Sequence, residues 1–146
     1  METCGKEKLY GGMEAKLEGG IIAMRLLWAH HAQEVDCGFL LIDVCNVFNE
    51  DNWKAILWSV QFDSPSGTQF TFHCYRHWAT MVVRNMYGSG HFLNRKEGVT
   101  KGDTLSIITY GIGILPLIRD LRTAHLHIMQ RYYAGDACVG VTFDAL

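Results

Sequence analysis

The sequence predicts an α/β (α+β) fold in which a small antiparallel sheet is backed by helices, and three observations carry that expectation. A short apolar run, Phe39-Leu-Leu-Ile-Asp43, follows Gly38 and ends in an acidic residue, the pattern of a buried strand. Two β-prone runs, 128–133 and 137–143, flank Ala134-Gly-Asp136, the pattern of a hairpin whose glycine tolerates the positive φ of a tight turn. Between these strands, several longer stretches carry apolar residues at helical spacing. With 146 residues, 49% of them hydrophobic and 19% charged, the chain suits one globular domain over 1–146.

The first element is an amphipathic helix over 13–33, where Leu17, Ile21, Met24, Leu27 and Trp28 recur at helical spacing despite Gly19 and Gly20. The strand that follows places Asp43 at its carboxyl end. Asn49-Glu-Asp-Asn52 offers capping residues ahead of Trp53, Ile56, Leu57 and Val60, which predicts a second helix ended by Ser64-Pro65-Ser66-Gly67. Phe72, Tyr75, Trp78, Ala79 and Val82 predict a third helix over 70–86. Residues 91–99 read as extended. Gly102-Asp103 then opens a long helix reaching about Leu121 and bent near Pro116, and its near-uniform apolarity predicts burial. Trp28, Trp53, Trp58 and Trp78 fall at helical core positions and read as packing.

Charge and cysteine usage exclude several classes. A formal net charge of -2 does not by itself suggest nucleic acid, since proteins that grip phosphates usually carry a basic surface. Cys4, Cys37, Cys45, Cys74 and Cys138 are odd in number and contain no C-x-x-C pair, so neither a disulfide framework nor a zinc module is signalled. A reducing, intracellular location, cytoplasmic or nuclear, follows as the expectation. Residues 1–12 lack the apolar core of a signal peptide, and 105–118 is too short to span a bilayer, so no membrane association is expected.

Three segments carry chemistry. The first is Leu40-Leu-Ile-Asp43-Val-Cys-Asn46-Val-Phe48-Asn49, the second Glu97-Gly98-Val-Thr-Lys101-Gly102-Asp103-Thr104-Leu105-Ser106, and the third Tyr132-Tyr133-Ala134-Gly135-Asp136. In this order they resemble the palm motifs of reverse transcriptases of non-LTR-type retrotransposons: a strand-borne aspartate with an N-A-F-N type turn, an E-G-V-T-Q-G-D-P-L-S helix entry, and a Y-A-D-D hairpin. The likeness extends from about Tyr10 to Phe143. It implies a palm-like fragment descended from an RNA-directed DNA polymerase, with fingers and thumb largely absent. It also implies two Mg²⁺ ions as cofactor, and an RNA or DNA template-primer and a dNTP as partners.

By that resemblance Asp43 and Asp136 are the catalytic carboxylates and, with the Val44 carbonyl, the metal ligands. Phe48, Lys101 and Gly102 are the nucleotide-binding residues, and Tyr133, Ala134 and Gly135 form the hairpin motif. Two-metal phosphoryl transfer needs hard oxygen donors gathered on a rigid scaffold, which a strand end beside a hairpin tip supplies. Phe48 falls at the family's aromatic plate under the sugar, and Gly102 allows close backbone approach.

The departures are as informative. Gly135 stands where the hairpin's first aspartate is expected, Lys101 where glutamine is, Thr104 where proline is, and Val47 where alanine is. Loss of the carboxylate shared by both metals predicts an inactive enzyme, since metal catalysis contributes on the order of several kcal/mol. Asp136 is not expected to replace it, because a one-residue slip turns a strand side chain to the opposite face. A degenerate, truncated element copy is the leading expectation, and a noncatalytic nucleic-acid- or protein-binding module derived from one is the alternative.

Other clusters carry less. His73 and His77, with Cys74, place two imidazoles four residues apart on the expected third helix, but without the glutamate of helical zinc sites. His125 and His127 read as a solvated loop. Arg84, Arg95, Lys96, Lys101, Arg119 and Arg122 read as solvated helix sides, with Lys96 and Lys101 the strongest phosphate contacts among them.

Overall fold

Capping residues and glycines set where several of the elements begin and end. The computed structural model describes residues 6–12, 16–33, 36–100, 103 and 105–143. Helix α1 runs Lys16–His31 and buries Ala23 and Leu27, one turn apart. Strand β1 (Cys37–Asp43) leads into a single helical turn, α2 (Val47–Glu50), that starts from Asn46 at φ 56. Helix α3 (Trp53–Asp63) is capped by Asn52, whose Oδ1 accepts from the Lys54 N–H at 2.9 Å and the Ala55 N–H at 3.4 Å. Its inner face buries Trp53, Ile56 and Val60. There follow α4 (Thr68–Tyr75), β2 (Ala79–Arg84), β3 (Gly90–Arg95), α5 (Ser106–Ala124), β4 (Met129–Tyr133) and β5 (Asp136–Thr142).

The expected sheet forms, with β1, β5 and β4 in the order β1-β5-β4, all antiparallel. The expectation of a buried strand over 39–43 is corrected: β1 is an edge strand, and Leu40, Leu41 and Ile42 are exposed. Gln130 and Tyr132 alternate inward from β4, and Tyr132 joins the core with Ile112, Leu115 and Ile118 of α5 and Ile56 and Val60 of α3. Each such aliphatic side chain contributes about 1.5–3 kcal/mol on burial. Leu9 bridges Tyr132 in parallel fashion and is 1% exposed, wedged against α5. Helix α1 covers the opposite sheet face: Leu27 lies against the backbone of Gly140, and the Trp28 and Phe39 rings stand 5.1 Å apart.

Several expectations are corrected. The third helix stops at Tyr75, and Ala79–Arg84 is instead a strand paired with Gly90–Arg95. β-Branched Thr80, Val82 and Val83 favour the pleated backbone, and Asn85 with Gly88 at φ 82 closes the connection. Phe72, Tyr75, Trp78 and Val82 therefore share no helical face. Of the four tryptophans only Trp53 is buried, at 6% exposure, while Trp28, Trp58 and Trp78 are exposed. Helix α5 begins at Ser106 and is amphipathic, with Leu117 on its open side. The hairpin's positive φ falls on Ala134, at 47°, not on Gly135. No helix among the described residues is long and apolar enough to cross a membrane.

Candidate metal and nucleotide site

The register of β1 against β5 brings Asp43 directly opposite Asp136. The Val44 N–H donates to the Gly135 carbonyl at 3.0 Å, which makes 44 and 135 a hydrogen-bonded pair. Asp43 and Asp136 are then a non-hydrogen-bonded pair, the kind whose Cα atoms approach to about 4.5 Å with side chains on one face. The slip argument from sequence is corrected here: Asp136 shares a sheet face with Asp43. Both are exposed, and among the described residues neither carboxylate forms an ion pair or hydrogen bond. Facing like charges of this kind destabilise a strand pair unless a cation lies between them.

The turn beside them is tightly enclosed. A Cβ added at Gly135 would lie 2.7 Å from Val47 Cγ1 and 3.6 Å from the Val44 carbonyl oxygen. On the other side, a Cβ added at Gly11 would lie 3.0 Å from the Ala134 nitrogen. Asp43, Val44, Val47, Phe48, Gly135 and Asp136 border a shallow cavity of about 230 Å³. A larger apolar cavity of about 500 Å³, walled by Met24, Leu41 and Tyr133, reaches the same two aspartates from the α1 side. Phe48 is half-buried, with its ring 5.1 Å from that of Tyr110, so it is held by the core while bordering the shallow cavity.

Residues 97–100 are clamped to this end of the molecule. The Gly98 N–H donates to the Asp51 carbonyl at 2.7 Å, the Val99 N–H to the Phe48 carbonyl at 2.6 Å, and the Trp53 indole N–H to the Gly98 carbonyl at 2.6 Å. Gly98 sits at φ 78, where a Cβ would lie 2.5 Å from the Asn49 carbonyl oxygen, so only glycine fits. Lys101 and Gly102 lie outside the described residues. Beneath the clamp, burial pushes the Asp51 carboxyl up to about 7, and its Oδ2 has no hydrogen-bond partner. Burial, then the nearby Asp51, raises the Tyr110 hydroxyl as well.

Asp43, Asp136 and the Val44 carbonyl are oxygen donors of the kind a hard divalent cation such as Mg²⁺ takes. They number only two carboxylates, and among the described residues no group of three or more His, Cys, Asp or Glu gathers here or elsewhere. His77 falls beyond the end of α4, which separates it from His73. Arg119 and Arg122 are not free cations: Arg119 grips Asp63 at 2.6 and 3.1 Å, and both contact Glu7. Lys96 stands 4.2 Å over the exposed Trp78 ring. Sequence reading missed Val47 as a wall of the site and Asp51 as a half-buried acid with an enclosed Oδ2. A β-branched residue in place of the family's alanine was the available signal for the first.

No protein-family model and no curated protein matches the chain. Solved structures do. The apo telomerase of Candida tropicalis, truncated from its C-terminal domain, aligns with a TM-score of 0.61 at 16% identity, covering 92% of this chain and 30% of that one. The telomerase of Candida albicans, solved with a TWJ fragment of telomeric RNA, aligns with a TM-score of 0.64 at 12% identity, covering 97% and 28%. The Candida tropicalis enzyme with the same kind of RNA fragment aligns at 0.59 and 14%, covering 84% and 23%. The chain thus spans less than a third of these proteins, and across that span it shares the fold of the matched segment of these telomerase structures.

Proposed function

We propose that this chain is the palm core of an RNA-directed DNA polymerase of the non-LTR retrotransposon type, reduced to a one-cation site and unable to add nucleotides. The facing pair Asp43 and Asp136, with Gly135 rather than a third carboxylate at the tip, carries this reading. Asp43, Asp136 and the Val44 carbonyl would hold Mg²⁺, which when bound supplies charge stabilisation to a phosphoryl group. Phe48 would support the sugar of a dNTP, and Lys101 and Gly102 would lie along the nucleotide or template. Nucleic acid is the proposed partner and an intracellular setting the proposed location.

Primer extension on an RNA template, with Mg²⁺ or Mn²⁺, tests the loss of activity: no added nucleotide is expected, and extension by the unmodified chain would falsify it. Arg95, Lys96 and Met81 around a cavity of about 430 Å³, with Lys96 over the exposed Trp78 ring, favour retained binding of nucleic acid as a second reading. That reading expects a salt-dependent affinity for a primer-template hybrid without extension. Affinity that does not change with ionic strength counts against it.

A further inference from the structure

We propose that Val47, and not Gly135 alone, closes the metal site: its side chain fills the space that a side chain at 135 needs, so the two positions are sterically coupled. The contact is specific. A Cβ on Gly135 would stand 2.7 Å from Val47 Cγ1, well inside the separation at which carbon atoms rest. Both partners are held in place. Gly135 is tied to β1 by the Val44 N–H at 3.0 Å. Val47 packs against the hydrophobic core from a helical turn, where a β-branched side chain holds one preferred χ1. That turn is itself braced by Asn46, whose Nδ2 donates to Glu50 Oε1 at 3.0 Å and whose Oδ1 accepts from Asn49 Nδ2.

A carboxylate therefore returns to position 135 only when 47 is small. Asp at 135 with Val at 47 forces the hairpin off β1 and pulls Asp136 away from Asp43. That Val47 governs metal holding rests on the polymerase reading above; that it governs packing does not.

A double-mutant cycle in thermal unfolding separates the two. Gly135→Ala adds only the Cβ, without charge, and in the Val47 background the melting temperature is expected to fall by on the order of 5 °C. In the Val47→Ala background the same change is expected to cost little, so that the cycle is strongly non-additive. Equal losses in both backgrounds overturn the proposal. Gly135→Asp is then compared in the two backgrounds for the rise in melting temperature on adding Mg²⁺ or Mn²⁺. The largest rise is expected in Val47→Ala with Gly135→Asp. Non-additive packing with no cation response in any variant leaves the coupling intact and sinks the polymerase-site reading instead.

Discussion

Asp43 and Asp136 face each other across β1 and β5, with the Val44 N–H to Gly135 carbonyl bond of 3.0 Å closing the ladder one residue beyond them. Without a cation the pair is a repulsion held by the surrounding backbone. Asp136→Asn is expected to raise stability in EDTA by about 0.2–1 kcal/mol, the range for a cross-strand pair. On the proposed one-cation reading, Mg²⁺ or Mn²⁺ should stabilise the parent and not this variant. Urea unfolding with and without the cation measures both; a variant that is less stable in EDTA and still responds to metal contradicts the assignment.

Trp53 is predicted to hold the 97–100 segment in place through its indole N–H on the Gly98 carbonyl. Trp53→Phe keeps the ring in the core but leaves that carbonyl without its donor, at a cost of about 1–3 kcal/mol. Amide exchange at Gly98 and Val99 should accelerate beyond the global loss of stability, because their own bonds to Asp51 and Phe48 depend on the same register. Gly98→Ala should be worse, since φ 78 and the Asn49 carbonyl both oppose a side chain.

Glu7 ties the N-terminal segment to the long helix, and that tie is expected to be modest and salt-sensitive. Arg119 is 40% exposed at its side chain and Arg122 24%, so water screens each pair to about 1 kcal/mol or less. Glu7→Gln should therefore lower stability slightly at low ionic strength and not at high. The readout is hydrogen exchange at Tyr132, whose N–H donates to the Lys8 carbonyl at 3.2 Å and should open first.

The sheet and its acidic end were legible because Phe39 to Asp43 and the two runs around Ala134 are short, apolar and bounded by turn residues. The break between Tyr75 and Ala79 was not. Phe72, Tyr75, Trp78 and Val82 satisfy a helical period as well as they satisfy a helix followed by a strand, and pairing with 90–95 decides between them. Trp28, Trp58 and Trp78 misled for a related reason: helical spacing says that residues share a side, not that anything covers it. At the site, the aspartates could be read from their motifs, but their direct opposition depends on register. Val47 against Gly135 is a contact between positions 88 residues apart in sequence (135 minus 47), which no local pattern encodes.

Asp51 gives the fold a pH dependence of defined sign. Burial raises its carboxyl from 3.8 to about 7, with the Asn52 backbone N–H opposing the shift. Its Oδ2 lies against α5, where a Cβ added at Gly113 would stand 3.1 Å away. Between about pH 4 and pH 7 the folded chain holds a proton that the unfolded chain has released, so this group's contribution to stability falls as pH rises through that window and is level above it. Asp51→Asn has no proton to lose and should be the more stable form at pH 8, by about 1–2 kcal/mol after allowing for partial contact of the carboxyl with water. At pH 4 the two should differ little. Parallel denaturant titrations at several pH values give the difference directly, and a gap between parent and variant that does not widen from pH 4 to pH 8 refutes the raised carboxyl of Asp51.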